Sequence, residues 1–170
     1  MGEILKNQGK LPQAMEMFNK QIEIYPDLMA YINRGTLNRF FQKYKSALED
    51  FEEAIKLDPE NSFCYSRVGL IYEHHREFDK ALESFDNALN YVANDNGKLQ
   101  LYTYKARVLQ CMNRFEESMK IYAKYIDEFG MNPDIAYDIS ELAVRMGNID
   151  YATSILEEAI NKFEFDENVK

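Results

Sequence analysis

The sequence predicts an all-α fold of antiparallel helix pairs stacked one on the next. Three observations lead there: a residue pattern that recurs at a spacing near 34, two amphipathic segments per recurrence, and sparse punctuation. The 170 residues include 7 Gly and 4 Pro, too few for a many-stranded β fold with its frequent turns.

The recurrence fixes the elements in order. Tyr31, Gly35, Tyr44, Ala47, Phe51, Ala54 and Pro59 return 34 residues later as Tyr65, Gly69, Phe78, Ala81, Phe85, Ala88 and Ala93. The next copy lies 37 further on, with Tyr102, Ala106, Phe115, Ser118, Tyr122 and Tyr125. Its extra residues fall in Asn94-Asp95-Asn96-Gly97-Lys98, a stretch whose composition predicts a loop. A last step of 34 reaches Ala136, Ser140, Ile149, Ala152, Leu156 and Ala159. Backwards, Leu11, Ala14, Phe18, Gln21 and Pro26 precede their counterparts by 33. The expected organisation is a single array over 1–170: a partial unit 1–27, then 28–61, 62–95, 99–132 and 133–166.

Each unit reads as two helices. Over 28–41, Leu28, Tyr31, Ile32 and Leu37 sit at helical spacing, and over 45–57 so do Ala47, Leu48, Phe51, Ala54, Ile55 and Leu57. Asp58-Pro59 ends the second helix, because proline lacks an amide and disfavours helix in the residue before it. Gln42-Lys43-Tyr44, Glu77-Phe78 and Gly147-Asn148-Ile149 make turns short enough to force antiparallel packing. Small residues at 35, 69, 106 and at 47, 81, 152 mark close approach between helices, and the large rings plug between pairs.

This pattern resembles the tetratricopeptide repeat: an aromatic, Leu-Gly, an aromatic, a turn, then Ala, aromatic, Ala and Pro. Residues 62–95 carry it as Tyr65, Val68-Gly69, Tyr72, Phe78, Ala81, Phe85 and Ala88. Residues 28–61 depart at Arg34 and Asn38, 99–132 at Lys105, and 133–166 lose the aromatics. The resemblance covers nearly the whole chain. It implies a right-handed α-solenoid whose first helices line a concave groove while second helices form the outer wall. No unit buries its apolar face alone, so stability sums neighbour interfaces.

Charge narrows the function. Lys plus Arg number 20 and Asp plus Glu 29, a formal net charge of −9. That balance argues against nucleic-acid binding and against adhesion to an anionic membrane. Cys64 and Cys111 form neither a CxxC pair nor a zinc set, and a reducing compartment is expected. No apolar run approaches membrane-span length, and Met1 to Lys6 lacks a signal-peptide core. A cytoplasmic location is the expectation. Aligned on Ala14, Met1 falls inside the opening helix of the first unit, and the residues after the last unit are too few for a polar capping helix. The chain is therefore expected to be a fragment of a longer polypeptide, from which a targeting segment could be missing, or to stack end to end as a homodimer through Phe163 and Phe165.

Enzyme signatures are absent: no GxGxxG, P-loop, HExxH or GxSxG occurs, and no catalytic residue or cofactor is assigned. His74 and His75 point about 100° apart on a helix, so one metal does not take both. No metal site is assigned. Asn94 to Gly97 resembles a calcium loop only superficially, since Val92 and Thr103 occupy ligand places. Acidic pairs such as Glu49-Asp50, Glu116-Glu117 and Glu157-Glu158 read as a solvated outer face.

First helices of the middle units carry Arg34, Arg39, Arg67, Lys105 and Arg107 against one acid, Glu73. The expected site is a partner-binding groove comprising Asn33, Arg39, Phe40, Phe63, Arg67, Leu70, Tyr104 and Arg107. Arginine forks suit carboxylates, so the ligand is expected to be a peptide with an acidic or C-terminal carboxylate feature. Asp134, Asp138 and Glu141 make the last first-helix acidic, which would orient a bound chain. Relatives that clamp the acidic tails of heat-shock chaperones need two Lys, two Asn and an Arg. Only Asn33 and Arg67 match, with Phe63 and Glu3 at two other places, which argues against that activity. The function expected is a non-enzymatic protein-interaction scaffold. Alternatives are a regulatory or docking segment of a larger multidomain enzyme, or a small secretion-type chaperone.

Overall fold

The computed structural model describes residues 2–167, with side chains through Asn161. Ten helices and no strand occur among the described residues. They divide between Ala93 and Asn94 into two compact units. The N-terminal unit holds α1 (Gly2–Asn7), α2 (Leu11–Ile24), α3 (Leu28–Phe40), α4 (Tyr44–Leu57), α5 (Ser62–His74) and α6 (Phe78–Tyr91). The C-terminal unit holds α7 (Asp95–Cys111), α8 (Phe115–Phe129), α9 (Pro133–Arg145) and α10 (Ile149–Glu167). Phe163 and Phe165, expected to mediate stacking, have side chains outside the described residues.

First helices and the second helices α2, α4, α6 and α8 start differently, while α10 keeps a cap in which Asn148 accepts the Tyr151 amide at 3.2 Å. First helices open on a short polar cap: Asp27, Asn61, Asn94 and Asn132 accept the amides of Ala30, Cys64, Gly97 and Ile135 at 2.9, 3.1, 2.7 and 2.9 Å. Asn94 corrects the loop expected over Asn94–Lys98. Its carbonyl oxygen caps a helix that begins at Asp95, whose carboxylate favours the positive end of the helix dipole. Second helices have no such cap at Lys10, Lys43, Glu77 or Arg114. The chain instead reverses through one left-handed residue, and the next amide bonds back across the turn, as from Lys43 to the Asn38 carbonyl at 2.8 Å.

Packing follows the repeat register. Ala47, Phe51 and Ala54 of α4 meet Cys64, Val68 and Ile71 of α5 in one core cluster. Gly69 shows why that position is small: a Cβ there would lie 2.5 Å from the Phe85 ring. The close approach is therefore ring on backbone. Each fully buried phenylalanine contributes about 1.5–3 kcal/mol of apolar burial. In the C-terminal unit Tyr102, Tyr122 and Tyr125 are buried with Ile135, Ile139 and Leu142.

Candidate functional site

Residues 33, 67, 104 and 138 hold one repeat position on α3, α5, α7 and α9, and each unit presents its own part of that face. In the N-terminal unit, Phe63 is 40% exposed near the start of α5. Arg67, one helical turn on, holds its guanidinium 4.3 Å from the Phe63 ring centroid. Leu70 follows on the same helix, half-buried. On α3, Asn33 is buried and accepts a hydrogen bond from Lys6 at 2.5 Å. Nothing in the spacing of Lys6 announced that link, because α1 is only six residues long.

Arg39 and Phe40 lie at the far end of α3, about 10 Å along the helix from Asn33. The Arg39 Nε is buried without a hydrogen-bond partner. Phe40 is 66% exposed and packs edge-on to Phe41, ring centroids 5.5 Å apart. In the C-terminal unit, the Arg107 guanidinium stands 5.1 Å from the Tyr104 ring centroid. Asp138 accepts from the Tyr122 hydroxyl at 3.3 Å, and its carboxyl is pushed above the usual range, chiefly by burial and further by Glu141 and Asp134.

Arg34 does not join the basic first-helix face. Its guanidinium grips Asp50 of α4, with Nε and Nη2 donating to Oδ1 at 2.9 and 2.6 Å. Asn38 donates to the other carboxylate oxygen at 2.8 Å, and the Asp50 side chain is 3% exposed. Nη1 reaches Asn19 on α2 at 3.1 Å. These groups floor a cleft of about 360 Å³ between α2, α3 and α4, bordered also by Met15, Lys43, Ser46, Glu49 and Glu53. A signal existed: Arg34, Asn38 and Asp50 stand where the next unit has the uncharged Val68, Tyr72 and Ser84.

Burial pushes the Cys64 thiol up to about 12, which keeps it protonated at neutral pH. Among the described residues no group of three or more His, Cys, Asp or Glu is arranged to hold a metal ion. No described helix is long and apolar enough to cross a membrane.

Known proteins repeat this architecture. The family model of the tetratricopeptide repeat matches residues 1–28 and 30–61. Tetratricopeptide repeat protein 6 of Homo sapiens is 35% identical over 78 residues, 46% of this chain and 15% of the relative. The Hsp70-Hsp90 organizing protein of Triticum aestivum is 24% identical over 151 residues, 88% of this chain and 26% of the relative. The chain thus spans about a quarter or less of these relatives. Among solved structures, MamA superposes with a TM-score of 0.83 at 17% identity, covering 99% of this chain and 97% of MamA. YrrB, described as "a TPR protein with an unusual peptide-binding site", gives 0.73 at 20% identity over 94% of this chain and 81% of its own. By the family-model match over residues 1–28 and 30–61, its repeat register and its helix pairs, the chain carries tetratricopeptide repeats.

Proposed function

We propose that the chain is a non-enzymatic interaction scaffold that receives a partner protein segment on its first-helix face. In each unit one arginine, Arg67 or Arg107, then engages a carboxylate, with Phe63 or Tyr104 beside it as apolar ground. One observation carries the reading: on α5 an exposed ring and a guanidinium are held together, 4.3 Å from centroid to cation. Such a pair offers contact area and charge to one ligand residue, the combination that anchors binding surfaces. The peptide-binding site named for YrrB, a protein of similar fold, supports the same class of partner. The organizing-protein likeness supports a co-chaperone-like role more weakly, since Phe63 and Glu3 stand at two of the five clamp positions.

The test is affinity capture followed by quantitative binding with the captured segment. Arg67→Ala and Arg107→Ala should each weaken binding by about tenfold, and raising salt should weaken it further. An interaction indifferent to both salt and these substitutions contradicts the reading.

A further inference from the structure

One edge of the N-terminal unit carries rings from two successive turns, of which Tyr44 is half-buried against the core. At the turn from α3 to α4, Phe40 and Phe41 are 66% and 39% exposed. Tyr44 follows, and from the next turn His74 and His75 close on it with ring centroids 4.4 and 5.1 Å away. Both histidines are exposed. The histidines thus tie Tyr44 of the first turn to the second along this edge.

Its charge opposes that of the chain. Residues 39–45 and 73–80 hold Arg39, Lys43, Lys45, Arg76 and Lys80 against Glu73, Glu77 and Asp79, on a chain of net charge −9. Glu77 is already bonded to Lys80 at 2.6 Å. The backbone gives a second, independent sign. Each turn needs one left-handed residue, and Gly9, Asn113 and Gly147 fill it at φ 74°, 58° and 79°. Glycine and asparagine tolerate that region. Along the aromatic row the same place holds Gln42 and Arg76, at φ 58° and 61°, where a long side chain is strained.

We infer that this turn edge, which takes Phe40 from the far end of α3, is a docking surface for an acidic peptide segment carrying apolar side chains. The rings of Phe40, Phe41 and Tyr44 receive the apolar groups, while Lys43, Lys45 and Arg76 meet the carboxylates. A short acidic segment fits better than a polyanion or a charged bilayer, because the surrounding −9 field repels any extended anionic surface.

The test uses the full chain and a labelled peptide of Glu, Asp and two Leu, capped at both ends so that no terminal carboxylate is present. Fluorescence anisotropy gives the affinity, and amide shifts in NMR give the place. Shifts should concentrate at 39–45 and 73–80. Lys43→Ala and Arg76→Gly should each weaken binding about fivefold. Arg76→Gly should not lower Tm, because glycine relieves the strained φ, so lost binding there is not lost folding. In Arg67→Ala the shifts at 39–45 and 73–80 should persist, which separates this surface from the Arg67 site. Four outcomes overturn the inference: an affinity unmoved by Lys43→Ala and Arg76→Gly, equal binding of a Gln/Asn peptide with the same leucines, tighter binding of phosphatidylserine vesicles or single-stranded DNA, or self-association of the chain that Arg76→Gly abolishes.

Discussion

The N-terminal and C-terminal units build the same helix pairs but treat polar atoms in their interiors differently. In the first, Phe51 and Phe85 lie fully buried, and the ring of Phe85 rests on the bare backbone of Gly69. Besides Asn33 and Ser84, it buries Asn38 and Asp50, which join Arg34 in one network. In the second, tyrosines hold the buried ring positions and each hydroxyl needs a partner. Tyr102 donates to Glu128 at 2.9 Å, Tyr122 donates to Asp138, and Tyr125 accepts from Asn132 at 2.9 Å. The contrast teaches that a repeat tolerates a polar atom at its interfaces in two ways, as one saturated ion-pair network or as scattered hydroxyl bonds. The two should respond differently to mutation and to pH.

The largest effect is expected where the ion pair is broken from one side. Asp50→Ala leaves the Arg34 guanidinium and the Asn38 amide without their acceptor, which should lower stability by about 3–5 kcal/mol in a urea titration. The sharper form of the experiment transplants the next unit's residues. R34V, N38Y and D50S together should restore most of that loss or exceed the parent, because an uncharged set that packs as the next unit does often matches a buried pair. If the triple variant is as weak as Asp50→Ala, the network does more than satisfy itself.

Phe85→Ala should cost about 3–5 kcal/mol, since the ring is fully buried against Gly69. The tyrosines should cost less. Tyr102→Phe removes one hydroxyl bond, worth about 1 kcal/mol. It should also change the alkaline limb of stability. Burial, helped by the Glu128 carboxylate, pushes the Tyr102 hydroxyl up to about 12 from an ordinary 10.0. The folded value is the higher one, so this contribution is complete below about pH 10 and disappears as pH rises through about 12. Thermal melts of the parent and Tyr102→Phe should converge across that window. Melts that stay parallel would contradict the assignment.

The smallest effect concerns Asp138. Its carboxyl is raised by burial, so its charged form opposes folding at neutral pH, and that cost fades on acidification. Asp138→Asn keeps an acceptor for Tyr122 without the charge, and should raise Tm slightly at pH 7. A marked drop would show that the charge itself holds α8 to α9.

The fold was legible because each repeat returns the same residue type to the same environment; Ala47, Ala81 and Ala152 are all buried as their register requires. Boundaries followed from Pro59 and the short turns. Asn94–Lys98 misled because Asn-Asp-Asn-Gly is turn chemistry and helix-start chemistry at once, and only the bond from the Gly97 amide decides between them. The candidate site was legible as residue types on helices, less so as contacts. The spacing of Phe63 and Arg67 on one helix predicts their meeting. Arg34 was read with the basic face because its partner is 16 residues away, on a helix whose facing side the repeat pattern alone does not give. Asn33 and Lys6 escaped for the same reason, across 27 residues.

The central claim is that first helices, not second helices, carry the partner. Site-specific photo-crosslinking decides it: a photoreactive residue is placed either at Phe63 on α5 or at Glu83, exposed on α6. Cross-links to the captured segment from position 63, absent from position 83 and lost with Arg67→Ala, are the expected result. Cross-links from 83 with none from 63 would place the partner on the outer wall and contradict the account.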